Sequence, residues 1–168
     1  MADQPMATES DYPDGANPFL NALGVQTLRA DSEGSELLLT LADWHMNRWA
    51  IAHGGVTMTL LDAALGKAAR EIERPPGYGG NDRSRGVVTV DMSVTFIQPG
   101  QGSLTARGRV VHRSTTMAFC EGEVVDADGG LVAKALGTFK YLRKLPLGRT
   151  VRAERRPGPG VPSTAGET

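Results

Sequence analysis

Asn47-Arg-Trp-Ala-Ile-Ala-His-Gly-Gly-Val-Thr-Met-Thr-Leu-Leu-Asp-Ala-Ala-Leu-Gly-Lys-Ala-Ala-Arg70 is the stretch around which this chain is organised. From Gly55 onward it reads as a helix that is apolar on nearly every side, with Asp62 as the one carboxylate inside it. On a 3.6-residue wheel, Met58, Leu61, Leu65, Ala68 and Ile72 form one line suited to a core, widened by Val56, Leu60 and Ala63. The remaining stripe, Gly55, Thr59, Asp62 and Gly66, is small and polar. Such a stripe suits contact with a ligand or another backbone better than packed aliphatics. His53-Gly54-Gly55 forms the mouth of the helix, where the first N–H groups have no intrahelical partner and carry the positive end of the dipole. Glycine lets another molecule come close to those donors.

An oxyanion site at the mouth and a carboxylate at Asp62 cannot act on one small group from a single helix. Eight residues at 1.5 Å each separate them by roughly 12 Å, against the ~3 Å reach of a catalytic contact. Two antiparallel helices across a two-fold axis would bring the mouth of one near Asp62 of the other. The spacing therefore predicts a homodimer with two equivalent sites.

The flanking sequence predicts what surrounds the helix. Phe19 to Leu23 suits a short helical turn that packs Phe19, Leu20 and Leu23 on the body, and Gly24–Ala30 and Ser35–Leu41 suit two strands joined across Asp31-Ser-Glu-Gly34. Asp43 to Ala52 carries Trp44, His45, Asn47 and Trp49 toward the helix mouth. Pro75-Pro76 requires the helix to stop by Glu73. Val87 to Ile97 alternates Val88, Val90, Met92, Val94 and Phe96 against Thr89, Asp91, Ser93 and Thr95, which predicts a long strand with one apolar face. Leu104–Val111, Met117–Val125 and Leu131–Tyr141 complete four strands after the helix. Tight turns imply antiparallel pairing, and one apolar helix needs a curved sheet wrapped around it. The fold class expected is α+β, in one domain over residues 17–142, with disordered tails at 1–16 and 143–168.

Composition excludes several classes. The 168 residues are 40% hydrophobic and 22% charged, enough for one ordinary core, and a net charge of −1 argues against a general nucleic-acid binder. Three histidines and one cysteine leave little for a metal site and nothing for a disulfide framework. No apolar run reaches the ~18 residues of a membrane span, and the N-terminus lacks the pattern of a signal peptide. The expectation is a cytoplasmic protein without membrane, nucleic-acid, metal or redox-cofactor partners.

Asn47, then His53-Gly54-Gly55, then Leu60-Leu61-Asp62-Ala63-Ala64 resembles the hotdog-fold acyl-CoA thioesterases of the phenylacetic acid degradation type. Val90-Asp91-Met92-Ser93-Val94-Thr95-Phe96 and Ala133 to Phe139 also look like that family's strands, and the resemblance covers roughly residues 19 to 142. It implies a hotdog fold and hydrolysis of an aryl-acetyl or medium-chain acyl-CoA by a dimer, or a dimer of dimers. Carried over by position, Asp62 would be the general base or a nucleophile. The Gly55 N–H, with Gly54, would hold the oxyanion, Asn47 and His53 would orient loop or carbonyl, and Thr89 would help place the water. Arg83, Arg85 and Arg113 are the candidates for the coenzyme A phosphates.

Simpler roles stand beside these. Asp62 could be a structural carboxylate satisfied by Thr59 or Asn47, His53 a cap, and Asn47 a loop tie. Cys120 suits strand packing. A second functional reading is a non-catalytic hotdog protein that binds an acyl ligand, and Asp62 separates the two, because a pure binder needs no carboxylate on that stripe.

Overall fold

The computed structural model describes residues 17–72 and 86–142. The expected tails at 1–16 and 143–168, and the loop carrying Arg83 and Arg85, lie outside the described residues.

The chain opens with a short helix, α1 (Pro18–Leu23). Asn17 caps it by accepting the Phe19 and Leu20 N–H groups at 3.1 and 3.2 Å, Pro18 supplies a preset first turn, and Gly24 ends it at φ 77°. Strands β1 (Gln26–Asp31) and β2 (Gly34–Thr40) then pair across a two-residue turn. Asp31 Oδ1 holds that turn by accepting the Glu33 and Gly34 N–H groups. The long helix α2 (Gly54–Glu71) follows, and then β3 (Val87–Phe96), β4 (Ser103–Arg113), β5 (Met117–Val125) and β6 (Leu131–Tyr141). All pairs are antiparallel and the order is β1-β2-β4-β5-β6-β3. Between β2 and β3 the chain crosses from one side of the sheet to its far edge, and α2 makes that crossing.

The sheet is shaped to take the helix. Ser35 pairs with Gly108 and Gly108 with Gly122, so a row of small residues lies beneath α2. A methyl group on Gly108 would sit 2.7 Å from the Ala64 backbone, so any side chain there would push the helix off the sheet. With that clearance, the Ser35 hydroxyl donates to the Ala64 carbonyl at 2.7 Å, and the Tyr141 hydroxyl donates to Ala69 O at 3.3 Å. Leu60, Leu61, Ala64, Leu65 and Ala69 are fully buried in one cluster with Leu37, Leu39, Leu104, Val124 and Phe139.

Two side-chain expectations are corrected. Met58, placed by the wheel on the core line, is 41% exposed, and Thr57 is buried in its stead. The core stripe is centred between Leu60/Leu61 and Ala64/Leu65, which leaves Met58 on its flank. The second correction concerns β3. Its pairing with β6 shifts register between Thr89 and Asp91, so Val90 is an extra residue in a β-bulge. A bulge reverses the inside–outside phase. Met92 and Val94 face the core as expected, but before the bulge Val87 packs inward and Val88 and Val90 are exposed.

Cys120 packs inside β5 as expected, and burial pushes its thiol up to about 12. Among the described residues no helix is long and apolar enough to cross a membrane.

Candidate active site

Asp62 sits in the middle of α2, half-buried. Neither of the partners foreseen for it is the one it has. Thr59 Oγ1 donates instead to the Gly55 carbonyl at 2.9 Å, a local bond within the helix. Asn47 Oδ1 accepts the Trp49 N–H at 2.9 Å. The Asp62 partner is Thr89, whose Oγ1 donates to Asp62 Oδ1 at 2.6 Å. The bulge at Val90 explains this contact, because it turns Thr89 to the helix side of a strand whose simple alternation pointed it away.

A charge-assisted hydrogen bond of that length fixes one carboxylate oxygen in position. The same carboxylate borders a recess of about 270 Å³ lined by Phe19, Leu20, Met58, Ala63 and Met92, with Asn17 and Thr59. Expected to pack on the body, Phe19 is instead 60% exposed, because α1 buries only Leu23 and its first turn leans over the recess.

At the helix mouth the polar groups are already engaged. His53 is the N-cap of α2, and its Nδ1 accepts the Gly55 N–H at 3.0 Å. The imidazole therefore occupies the donor assigned to an oxyanion, and its proton resides on Nε2. Gly54 lies against Phe96, whose ring would be 3.5 Å from a methyl group placed there. Asn47 closes a tight hairpin in which its own N–H donates to Ile51 O and its carbonyl accepts from Ala50, with Ala50 at φ 56°. The His45 carbonyl accepts the His53 N–H, and buried His45 takes the Ala42 N–H on Nδ1. His45, outside the expected site, thus ties the loop to the cap.

The site residues therefore fall into separate groups. Asp62 and Thr89 meet; His53, Gly54, Gly55 and Asn47 gather around the helix mouth about two turns away. Arg113 ends β4, in register through Ala118 and Phe139 with Thr89. Three strand spacings put it about 14 Å from Thr89 across the sheet. Its hairpin is closed by Ser114, whose Oγ accepts the Thr116 and Met117 N–H groups at 3.3 and 3.1 Å. Arg83 and Arg85 lie outside the described residues. The recess and its α1 wall were missed, and no sequence signal would have marked them, because they depend on where a six-residue helix docks.

A family model described as Thioesterase superfamily matches residues 50–133, half of the chain. The chain belongs to the thioesterase superfamily. This thioesterase-superfamily chain is 28% identical over 129 residues to a protein of Saccharolobus solfataricus that bears a provisional esterase name, covering 76% of this chain and 86% of that one. It is also similar to a solved structure of a mutant phenylacetic acid degradation protein PaaI from Thermus thermophilus. That match has 26% identity and a TM-score of 0.63, and covers 75% of this chain and all of the other. A hypothetical thioesterase from Streptococcus pneumoniae with coenzyme A shares the fold at a TM-score of 0.60 and 20% identity, covering 70% and 84% of the two chains. The antiparallel sheet around one long helix is the hotdog fold, and the superfamily membership makes thioester or ester hydrolysis the class of chemistry to weigh at Asp62.

Proposed function

We propose that this chain is an acyl-CoA thioesterase, acting as a homodimer on a neutral aryl-acetyl or medium-chain acyl-CoA. The observation that carries the reading is the Thr89–Asp62 hydrogen bond at the edge of an apolar recess. Thr89 occupies one carboxylate oxygen and leaves the other to take a proton from water. The hydroxide so formed adds to the thioester carbonyl, the oxyanion collapses, the C–S bond breaks, and coenzyme A leaves as the thiol with the proton that Asp62 had taken. A solved hotdog structure with coenzyme A supports the choice of leaving group.

The oxyanion donor comes from a second copy in this reading. Thr89 adjoins Asp62 and Phe96 adjoins Gly54, so β3 runs alongside α2 from the carboxylate to the helix mouth. Strand β3 is also a sheet edge. Two copies pairing antiparallel about a two-fold axis between Met92 and Ser93 would set Phe96 of the partner subunit opposite Thr89. The mouth of the partner's α2 would then face Asp62, with its glycine N–H groups, His53 and Asn47 around the carbonyl. Arg83, Arg85 and Arg113 supply cations for the coenzyme A phosphates. A pair of dimers is compatible with the same arrangement.

One observation favours the non-catalytic alternative. His53 Nδ1 holds the Gly55 N–H, and the thioesterase requires the substrate carbonyl to displace it. The test is coenzyme A release from a panel of acyl-CoA esters by wild type and Asp62→Asn. General-base loss costs about a thousandfold in rate, with the variant still folded and the same size in solution. An inert wild type, or a variant as fast as wild type, would move the acyl-binding reading to the front.

A further inference from the structure

The recess beside Asp62 has one wall that takes no part in the hydrolysis described above. Met58 and Ala63 belong to α2 and Met92 to β3, long elements held by the sheet. The opposite wall is Phe19 and Leu20 of α1. That helix is six residues long, buries only Leu23, and is otherwise held by its Asn17 cap and the Gly24 turn. We propose that α1 is the acyl-selecting element of this protein, with Phe19 as the residue that sets the size of the acyl group.

Three features carry the inference. The first is volume: at ~30 Å³ for each water-sized heavy atom, a recess of about 270 Å³ holds about nine. An octanoyl or phenylacetyl group fills it, whereas an acetyl group leaves most of it empty and a palmitoyl chain overruns it. The second is polarity. The Thr59 hydroxyl already donates to Gly55 O and the Asn17 side-chain oxygen already accepts two N–H groups, so a neutral hydrocarbon meets Phe19, Leu20, Met58, Ala63 and Met92. A second carboxylate, as on a succinyl group, would sit beside the like charge of the Asp62 carboxylate and is disfavoured. The third is compliance. Behind the recess Leu60 and Leu61 are fully buried, so a group too large for it displaces α1 before it enters the core.

The proposal rests on the thioesterase reading for the bond that is cut, and on the recess alone for what is held. The experiment measures kcat/KM for acetyl-, hexanoyl-, octanoyl-, phenylacetyl-, palmitoyl- and succinyl-CoA with wild type, Phe19→Ala and Phe19→Trp. Wild type should peak at octanoyl and phenylacetyl. Phe19→Ala should lose about tenfold on those two with acetyl within about twofold, and should shift the optimum to longer chains; Phe19→Trp should narrow the range to hexanoyl and shorter. Phe19 is mostly exposed, so both variants keep the fold. Equal losses on every ester, or a preference for succinyl-CoA, would overturn the proposal. Calorimetric binding of the octanoyl thioether analogue of coenzyme A separates the two readings. Phe19-dependent binding without turnover of any ester keeps the acyl wall and removes the thioesterase, whereas turnover indifferent to Phe19 does the reverse.

Discussion

The two edges of the sheet are built differently. Strand β1 is six residues long, carries a bulge at Leu28, and presents the Arg29–Asp31 ion pair, 2.7 Å apart and half-exposed. Strand β3 is ten residues long and carries no basic residue, and Val88, Val90 and Phe96 are exposed along it. Short length, a bulge and charge are the devices that keep an edge from pairing with another chain. β1 has all three. β3 has a bulge as well, but there it serves to aim Thr89 at Asp62; the strand stays long, with Val88 and Val90 exposed at one end, Phe96 against the helix mouth at the other, and Asp91 as its one charge. One edge is closed to partners and the other is suited to a second copy, which is where the proposed active site would be completed.

The most severe way to break this comparison is to charge the apolar edge. Val88→Lys combined with Val90→Lys should convert the proposed dimer to monomer by light scattering and lower thioester hydrolysis more than a hundredfold, because in that reading each Asp62 loses the partner's helix mouth. Leu28→Lys on β1 should change neither. If the β3 variant remains an active dimer, or the β1 variant dissociates, the assignment of the edges is wrong.

A smaller effect tests the inward side of β3. Thr89→Val keeps the shape and removes the hydroxyl that holds Asp62 Oδ1, so kcat should fall about tenfold with KM and dimerisation little changed. A change in KM alone would point to a packing role for Thr89.

The smallest effect lies on β1. The Arg29 hydrogen bond, aided by the Glu33 and Gly34 N–H groups, holds the Asp31 carboxyl below its ordinary value. A lowered folded pKa gives stability that is present above the unfolded value of 3.8 and is lost as pH falls through the folded one. Asp31→Asn keeps the oxygen that caps the turn and removes only the charge. Its melting temperature should lie slightly below wild type at pH 7, and the gap should close as pH falls below 3.8 and through the lowered folded value. A gap that persists at low pH would mean that the ion pair is not its source.

Much of this molecule was legible before folding was considered. Hydrophobic periodicity and the Pro75-Pro76 stop located α2 to within a residue or two, and the turn residues located all six strands. The odd carboxylate on a small polar stripe marked Asp62, and the His53-Gly54-Gly55 run marked the helix mouth. These signals are local, since each depends on the chain's own repeat and on breakers beside it. The partner of Asp62 was not legible. Pairing of β3 with β6 inserts the bulge, and one extra residue moves Thr89 from the outer face to the inner one. Nor were the α1 wall, the exposure of Met58 and the engagement of the Gly55 N–H by His53. The sequence by itself determined which elements form and where an unusual charge sits among apolar neighbours. Only the tertiary structure decided what that charge touches, because register, docking of a short helix and side-chain rotamers are set by contacts between residues far apart in the chain.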